Sequence, residues 1–256
     1  MSDPRALFDL SGRTALITGG SRGLGIQIAE ALGDFGARLV ISSRKEADLV
    51  EAQAHLQGRG IEVDYIVSDV ANDEDVFRLA DGAIEKLGKI DILVNNAGAS
   101  WGAPAEDHPI EAFDKIMNLN IRSLFVLSQR VAKKSMIPNK YGRIISMSSM
   151  AGMRGAADLI GYNTSKGAVI NFTRSLAASW GKYGITANAL APGMFPSKMT
   201  KGTFEKYGVE TFANAAPLRR IGDDQDLKGA LLLFASDAGK HITGQTLAVD
   251  GGVTAV

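Results

Sequence analysis

The chain has 256 residues, of which 45% are hydrophobic and 22% charged, a composition typical of a globular protein. Lysine plus arginine balances aspartate plus glutamate at 28 each, so no basic excess indicates binding to nucleic acid or to an anionic membrane. Cysteine is absent, which excludes disulfides and thiolate chemistry. The N-terminal residues lack a signal-peptide pattern and no apolar run is long enough for a membrane span, so we expect a soluble cytoplasmic protein.

Short apolar and β-branched runs recur along the chain and alternate with segments of helical spacing. The runs cover 14–18, 37–42, 62–70, 90–97, 142–148, 185–193 and 246–252. They are almost wholly apolar rather than alternating, which is typical of strands buried on both faces of a parallel sheet. The alternation predicts an α/β fold: one doubly wound Rossmann domain over 1–256, with a seven-stranded parallel sheet flanked by helices.

One segment, 194–222, does not follow this alternation of strands and helices. It contains no predicted strand, is weakly amphipathic and directly follows the end of a strand. A segment at the carboxyl edge of such a sheet is placed to act as a mobile lid over a ligand site. An ordinary helical excursion is the alternative interpretation.

A glycine-rich turn follows the first predicted strand and precedes a helical pattern. Gly19, Gly20, Gly23 and Gly25 lie in the stretch "TGGSRGLG". Glycine permits positive φ and lets the backbone approach a ligand, while the following helix N-terminus offers free N–H groups to a pyrophosphate. Glycines in such a turn can also serve packing alone, but their place at the start of a βαβ unit favours dinucleotide binding.

The end of the second predicted strand indicates which dinucleotide binds. An NAD site usually has an acidic residue there, whereas this chain has Ser42, Ser43, Arg44 and Lys45. Arg22 lies within the glycine turn, and two guanidinium groups converging on one point suit a 2′-phosphate. The sequence therefore predicts NADP(H) rather than NAD(H), with an Arg44 that only covers surface as the alternative.

Three later strand ends carry small or polar residues at the same edge of the sheet. Asp69 and Val70 close the third strand, near where an adenine ring would lie, and "NNAG" (95–98) closes the fourth. Ser148 and Ser149 close the fifth strand, where a hydroxyl could hydrogen-bond a substrate carbonyl. Serines are also common at strand ends for turn chemistry alone.

The stretch "GYNTSKGAV" holds Tyr162 and Lys166 four positions apart, on one face of a predicted helix. An ammonium about 5 Å from a phenol would stabilise the phenolate by roughly 3 kcal/mol at an effective dielectric near 20. That corresponds to a phenol pKa lowered by about two units, which predicts Tyr162 as a proton donor or acceptor. Most such pairs are merely exposed helix neighbours, so this one depends on the other motifs.

Together these motifs, in this order and at these spacings, resemble the short-chain dehydrogenase/reductase family from Gly12 to Gly252. The matching residues are Thr18, Gly19, Gly23, Gly25, Asn95, Asn96, Ala97, Gly98, Asn120, Ser149, Tyr162, Lys166, Pro192 and Gly193. Asn118 and Asn120 are also unusual by themselves, because a polar amide in an apolar helix pattern needs a specific partner. Asn120, which precedes "IRSLF", is the one that matches the family.

The resemblance implies a role for each catalytic residue. Tyr162 would be the general acid/base, and Ser149, at the family's spacing of thirteen residues, would anchor the carbonyl in preference to Ser148. Lys166 would bind the nicotinamide ribose and lower the tyrosine pKa, and Asn120 would hold a water that links this lysine to solvent. The implied cofactor-binding residues are Gly19, Ser21, Arg22, Gly23, Leu24, Gly25, Ser43, Arg44, Asp69, Val70, Asn96, Ala97, Gly98, Tyr162, Lys166, Pro192, Gly193 and Ser197.

The activity implied is NADP(H)-dependent interconversion of a carbonyl and a secondary alcohol. Reduction of a 3-oxoacyl or related ketone, as in the rhamnolipid-pathway type of reductase, is the first expectation, and a gluconate-type sugar or polyol dehydrogenase is the alternative. A non-catalytic NADP(H) sensor is disfavoured by the intact catalytic set. We expect a small-molecule substrate, no metal, no nucleic acid and no membrane partner, and a homotetramer or homodimer built on helices at about 110–136 and 160–181.

Overall fold

The computed structural model describes residues 3–256, which form a seven-stranded parallel sheet. Its strands are β1 (Thr14–Thr18), β2 (Arg38–Ser43), β3 (Val63–Val67), β4 (Ile92–Asn95), β5 (Gly142–Met147), β6 (Ile185–Pro192) and β7 (Thr246–Val249). Their order in the sheet is β3-β2-β1-β4-β5-β6-β7. From β1 to β3 successive strands are added on one side of β1, and from β4 onward they are added on the other side. This switch point between β1 and β4 opens a crevice at the carboxyl ends of the strands. The predicted fold class is confirmed.

Helices cover both faces of the sheet. They are α1 (Leu24–Asp34), α2 (Glu46–Gly58), α3 (Asp73–Leu87), α4 (Ile110–Met117), α5 (Ser123–Val131), α6 (Ile137–Asn139), α7 (Ile160–Trp180), α8 (Lys198–Tyr207), α9 (Val209–Ala215) and α10 (Lys228–Ala235). Two π-helical turns, Asn118–Arg122 and Ala132–Met136, join α4, α5 and α6 into one continuous helical run. Short 3-10 helices occur at Pro4–Phe8, Ala105–Asp107, Met150–Gly152, Gly181–Tyr183 and Asp237–Gly239.

The strand side chains alternate between two hydrophobic cores. In β1, Ala15 and Ile17 belong to the core beneath α1, α2 and α10, while Leu16 belongs to the core beneath α3, α5 and α7. All three are fully buried. Because both faces of the central strands are covered, most of their positions are apolar, which explains the apolar runs in the sequence.

The segment 194–222 contains α8 and α9 and no strand, and it leaves the sheet between β6 and α10. Its two ends meet, because the Gly222 N–H donates a hydrogen bond to the Met194 carbonyl at 2.8 Å. Phe195 is buried against Gly222. Among residues 3–256, none of the helices combines the length and apolar composition needed to cross a bilayer.

Candidate functional site

A cleft of about 480 Å³ lies along the carboxyl ends of the strands. The lining includes every predicted cofactor-binding residue and the predicted carbonyl anchor Ser149. Asn120 is the one predicted site residue that lies behind the cleft wall, where it is 1% exposed. The structure therefore brings residues from seven distant parts of the sequence to one edge of the sheet.

The glycine turn is shaped for close contact with a ligand. Gly19 and Gly23 have φ values of +64° and +55°, which non-glycine residues rarely adopt. A Cβ on Gly25 would lie 1.9 Å from the Gly19 carbonyl oxygen, so the start of α1 can pack on the turn only without a side chain. A Cβ on Gly23 would meet only Ser197 Cβ, at 3.8 Å, because this position faces the open cleft. The turn thus fits a pyrophosphate at the helix N-terminus.

Asn96 fixes the shape of this turn from the neighbouring strand. Its side-chain Nδ2 donates to the carbonyls of Thr18 and Gly19 at 3.0 and 3.1 Å. The Thr18 hydroxyl in turn accepts hydrogen bonds from the backbone N–H groups of Asn96 and Ala97, both at 3.1 Å. Asn96 therefore lines the cleft and also holds the glycine turn in place.

The adenosine end of the cleft is lined by Ser42, Ser43, Arg44 and Lys45, as the sequence indicated. Ser42 Oγ is buried and has no hydrogen-bond partner within residues 3–256, so it remains available to a ligand hydroxyl. Across the cleft, Asp69 Oδ1 accepts from the Ala71 N–H at 3.1 Å. These polar atoms fit an adenosine ribose and adenine beside β2 and β3.

Arg22 lines the cleft and has one hydrogen-bond partner among the described residues. Its Nη1 donates to Asp48 Oδ2 at 2.9 Å, and both side chains line the cleft. Asp48 lies in the first turn of α2, 26 residues along the chain from Arg22, and no motif in the sequence singled it out.

Two adjacent serines at the end of β5 have different environments. The Ser148 hydroxyl donates to the Lys166 carbonyl at 2.8 Å, so its proton is already used within the fold. Ser149 Oγ accepts from the Ala151 N–H at 3.1 Å and lines the cleft beside Tyr162. Its hydroxyl thus lies in the cleft next to the phenol rather than being bonded to the backbone of α7 as that of Ser148 is.

The tyrosine–lysine pair does not have the electrostatics predicted from its spacing. Burial raises the pKa of Tyr162 above its ordinary value of 10.0, and an interaction with the Ser149 hydroxyl acts in the opposite direction. Lys166 Nζ lies 5.7 Å from the Tyr162 ring centroid and donates to the Met147 carbonyl at 2.8 Å. Burial lowers the pKa of Lys166 to about 8. For Tyr162 the direction is opposite to the lowered tyrosine pKa that the spacing predicted, because burial disfavours the charged phenolate.

Asn120 lies in the π-helical turn between α4 and α5, a type of distortion frequent at functional sites. Its Oδ1 accepts a hydrogen bond from the Ala99 N–H at 2.9 Å. Its Nδ2 donates to the Ala99 carbonyl and to Ser165 Oγ, each at 2.9 Å. A Cβ on Gly98 would lie 3.2 Å from Asn120 Oδ1 and 3.4 Å from Lys166 Nζ. Asn120 therefore joins the end of β4 to α7 directly behind the lysine.

The end of β6 brings the remaining predicted residues to the cleft. The Gly193 N–H donates to the Val249 carbonyl at 2.9 Å, and a Cβ there would lie 2.7 Å from Asp250 Cα. Ser197 begins α8: its hydroxyl accepts from the Thr200 N–H at 3.2 Å, while Thr200 Oγ1 accepts from the Ser197 N–H at 2.9 Å. Ser197 thus lines the cleft and caps the helix.

The cleft also contains residues that the sequence interpretation did not include. They are Asp48, Ser68, Ala99, Ser100, Leu119, Met147, Lys198 and Thr200. Most of them directly follow or precede a predicted site residue, and only this adjacency could have pointed to them. Trp101, just beyond the "NNAG" stretch, is 40% exposed and packs edge-on against His108, with ring centroids 4.8 Å apart.

A family model described as "Enoyl-(Acyl carrier protein) reductase" matches residues 19–254 of this chain. Gluconate 5-dehydrogenase of Gluconobacter oxydans is 37% identical over 256 residues, which cover 99% of each protein. The rhamnolipids biosynthesis 3-oxoacyl-[acyl-carrier-protein] reductase of Pseudomonas aeruginosa is 34% identical, with 96% of this chain and 97% of that protein covered.

Solved structures show the same architecture. The crystal structure of a gluconate 5-dehydrogenase from Burkholderia cenocepacia in complex with NADP and tartrate superposes with a TM-score of 0.93. The two chains are 35% identical, and the match covers 98% of each.

Proposed function

The chain belongs to the short-chain dehydrogenase/reductase family, and we propose that it is an NADP(H)-dependent oxidoreductase that interconverts a carbonyl and a secondary alcohol. One observation carries this proposal: Ser149, Tyr162 and Lys166 line the same cleft as the glycine turn at the start of α1. A hydride carrier held by the turn and a substrate held by the two hydroxyls would meet between them.

When bound, the nicotinamide supplies or accepts the hydride. The substrate oxygen would be held by the Ser149 hydroxyl and by the Tyr162 phenol, which line the cleft side by side. In reduction, Tyr162 donates its proton to that oxygen, and in oxidation it removes the proton from the alcohol. Lys166, held by the Met147 carbonyl, orients the nicotinamide ribose and supplies positive charge beside the phenol when it is protonated.

Asn120 is a positioning residue in this proposal. Its three hydrogen bonds to Ala99 and Ser165 fix the spacing between β4 and α7. The Ser165 hydroxyl also donates to the Tyr162 carbonyl at 2.8 Å, so the same network reaches the backbone of the proton donor. The π-helical turn at Asn120 leaves backbone groups outside regular α-helical bonding, where a water linking Lys166 to solvent would be held.

The cofactor is NADP(H). Arg22 and Arg44 line the adenosine end of the cleft, where neither β2 nor its end supplies the acidic residue that favours NAD(H). The relative from B. cenocepacia was crystallised with NADP.

Two substrate classes are supported by different features of the cleft. Phe195 and Met199 line the cleft from the segment 194–222 and favour an apolar acyl chain, as in a 3-oxoacyl thioester. Lys198 lines it as well, and its cation favours a carboxylate such as that of gluconate. Of the two relatives, that from P. aeruginosa is named as a 3-oxoacyl reductase and that from G. oxydans as a gluconate dehydrogenase. We propose the 3-oxoacyl class first and the gluconate class second.

The segment 194–222 is proposed as the substrate lid. The hydrogen bond between Gly222 and Met194 closes its base, so α8 and α9 extend from two joined ends. Residues at its start line the cleft beside the strand ends: Phe195, Ser197, Lys198, Met199 and Thr200. A segment attached in this way can move as a unit and close over a bound substrate.

We also propose a homotetramer, or failing that a homodimer, assembled through the helical run from α4 to α5 and through α7. Ile110 and Phe125 on this run are 74% and 45% exposed, an unusual exposure for large apolar side chains. Phe125 packs edge-on against Phe172 of α7, so the exposed apolar surface spans both helices. Light scattering of the purified protein measures the state directly.

The test of the proposed function is a pair of matched serine variants with a tyrosine variant. Ser149→Ala is expected to lower kcat with NADPH by at least about 100-fold, as expected when a donor to the developing oxyanion is lost. Ser148→Ala removes a neighbouring hydroxyl that is bonded to Lys166, and its kcat should fall by less than about tenfold. Tyr162→Phe should abolish turnover and leave NADPH affinity nearly unchanged.

The substrate panel is 3-oxoacyl thioesters, β-ketoesters, diketones and keto-sugars. Turnover of keto-sugars alone would favour the second substrate class. NADPH binding without turnover of any of these compounds would favour a sensing protein and contradict the proposal, as would full activity in the Tyr162→Phe variant.

A further inference from the structure

The adenosine end of the cleft contains a carboxylate that opposes phosphate binding. Asp48 lines the cleft beside Ser43, Arg44 and Lys45, and its Oδ2 accepts from Arg22 Nη1 at 2.9 Å. The Arg22 and Asp48 side chains are 51% and 30% exposed, so the pair is open to solvent and to a ligand.

We propose that Asp48 is a specificity-determining residue that competes with a 2′-phosphate for Arg22. The result is a preference for NADP(H) over NAD(H) that is smaller than Arg22 and Arg44 would produce without this carboxylate. The inference rests on the proposed function, because it concerns the cofactor of that same site.

The competition follows from charge. A phosphate monoester carries about −1.5 to −2 charges at pH 7, whereas the 2′-hydroxyl of NAD(H) is neutral. A carboxylate beside Arg22 neutralises part of the guanidinium charge and repels the phosphate, but it has little effect on the hydroxyl. Asp48 therefore weakens NADP(H) binding selectively.

The geometry favours competition over a role in positioning Arg22. Within residues 3–256, Asp48 is the only hydrogen-bond partner of the Arg22 side chain, and the contact is made through one nitrogen. A guanidinium has five donors, so most remain free for phosphate oxygens. A single contact at this exposure orders the arginine weakly, because exposed ion pairs contribute little to stability. We therefore expect Asp48 to weaken NADP(H) binding a few-fold rather than to strengthen it.

The experiment measures binding to the full-length protein by titration calorimetry with NADP⁺, NAD⁺ and adenosine 2′,5′-bisphosphate. Asp48→Asn keeps the size of the side chain and removes the charge. We expect it to strengthen NADP⁺ and bisphosphate binding by about three- to tenfold and to change NAD⁺ binding by less than twofold. The gain should fall at about 0.5 M NaCl, because the interaction between exposed charges is screened.

Two further variants separate the proposal from its alternatives. Asp34→Asn is the matched control: Asp34 accepts from Arg59 at 2.7 Å in a single-contact pair of similar exposure, outside the residues lining the cleft. Asp34→Asn should leave the affinities for NADP⁺ and for NAD⁺ unchanged. In an Arg22→Gln background, the gain from Asp48→Asn should shrink by at least twofold, since the competition then has no target.

Unchanged or weaker NADP⁺ binding in Asp48→Asn overturns the inference, and so does an equal gain in the Arg22→Gln background. If the wild type binds NADP⁺ and turns over a carbonyl substrate while Asp48→Asn has no effect, the inference alone fails. A wild-type protein that binds neither dinucleotide overturns the proposed function together with it.

Discussion

Replacing Lys166 by methionine should stabilise the protein while it removes a group proposed for catalysis. The lysine side chain is 6% exposed, and burial lowers its pKa from 10.5 to about 8. At about 1.4 kcal/mol per pKa unit, this shift means that keeping the ammonium charged at pH 7 costs the folded state roughly 3 kcal/mol. Methionine has nearly the same length and no charge. The lost hydrogen bond from the ammonium to the Met147 carbonyl costs about 1.5 kcal/mol, so a net gain of about 1–2 kcal/mol remains.

The gain should depend on pH in a defined direction. Between about pH 8 and 10.5 the unfolded wild-type chain holds a proton on this lysine that the folded chain has released. Wild-type stability therefore rises with pH across this window. The advantage of Lys166→Met should be largest below pH 8 and should disappear as the pH approaches 10.5.

Thermal unfolding of both proteins across pH 7 to 10.5 measures this advantage. A difference of 1–2 kcal/mol corresponds to about 2–8 °C in Tm for a chain of this size. Lys115→Met is the control, because Lys115 is exposed in the last turn of α4 and its Tm should change little. A lower Tm for Lys166→Met at pH 7, or an advantage that does not decline above pH 8, would refute the reasoning.

Two further predictions concern the cofactor site. Gly25→Ala places a Cβ 1.9 Å from the Gly19 carbonyl oxygen and should weaken NADP⁺ binding at least tenfold with a lower Tm by thermal unfolding. Gly229→Ala, where nothing lies within 4 Å of the added Cβ, should leave both intact, and equal behaviour of the two would contradict the steric account. Arg44→Asp should shift the ratio of kcat/KM values from NADPH toward NADH by at least tenfold, whereas an unmoved ratio would place the 2′-phosphate site elsewhere.

The sequence predicted the sheet well, because the central strands are covered on both faces and are therefore mostly apolar. The ends of the strands were less accurate. The run 90–97 was predicted as one strand, but β4 covers only Ile92–Asn95. Before it, the Asp91 carboxylate accepts from the Thr14 N–H at 3.1 Å, and after it the Asn96 and Ala97 N–H groups bond to the Thr18 hydroxyl. These polar contacts depend on a strand distant in sequence, so local pattern cannot reveal them.

The candidate site was predictable where its residues form contiguous motifs and less so where partners come from afar. The glycine turn and the pair Tyr162 and Lys166 are visible as motifs, and the structure brings them to one cleft. The partnership of Arg22 with Asp48 depends on how α2 packs beside the turn, which spacing does not encode. Sequence spacing also allows an estimate of the attraction between two side chains, but it does not show how far burial removes each from water and shifts its pKa.

That desolvation bears on the direction of the proposed reaction. Since burial raises the pKa of Tyr162 and lowers that of Lys166, the chain by itself keeps the phenol protonated at neutral pH. A protonated phenol is the form that donates to a substrate oxygen, whereas alcohol oxidation requires the phenolate as base. The Ser149 hydroxyl partly offsets the rise, so burial and this hydroxyl, rather than the lysine alone, set the proton affinity of the phenol. The protonated phenol is therefore the resting form of Tyr162 at neutral pH, and it is the form that the proposed carbonyl reduction requires.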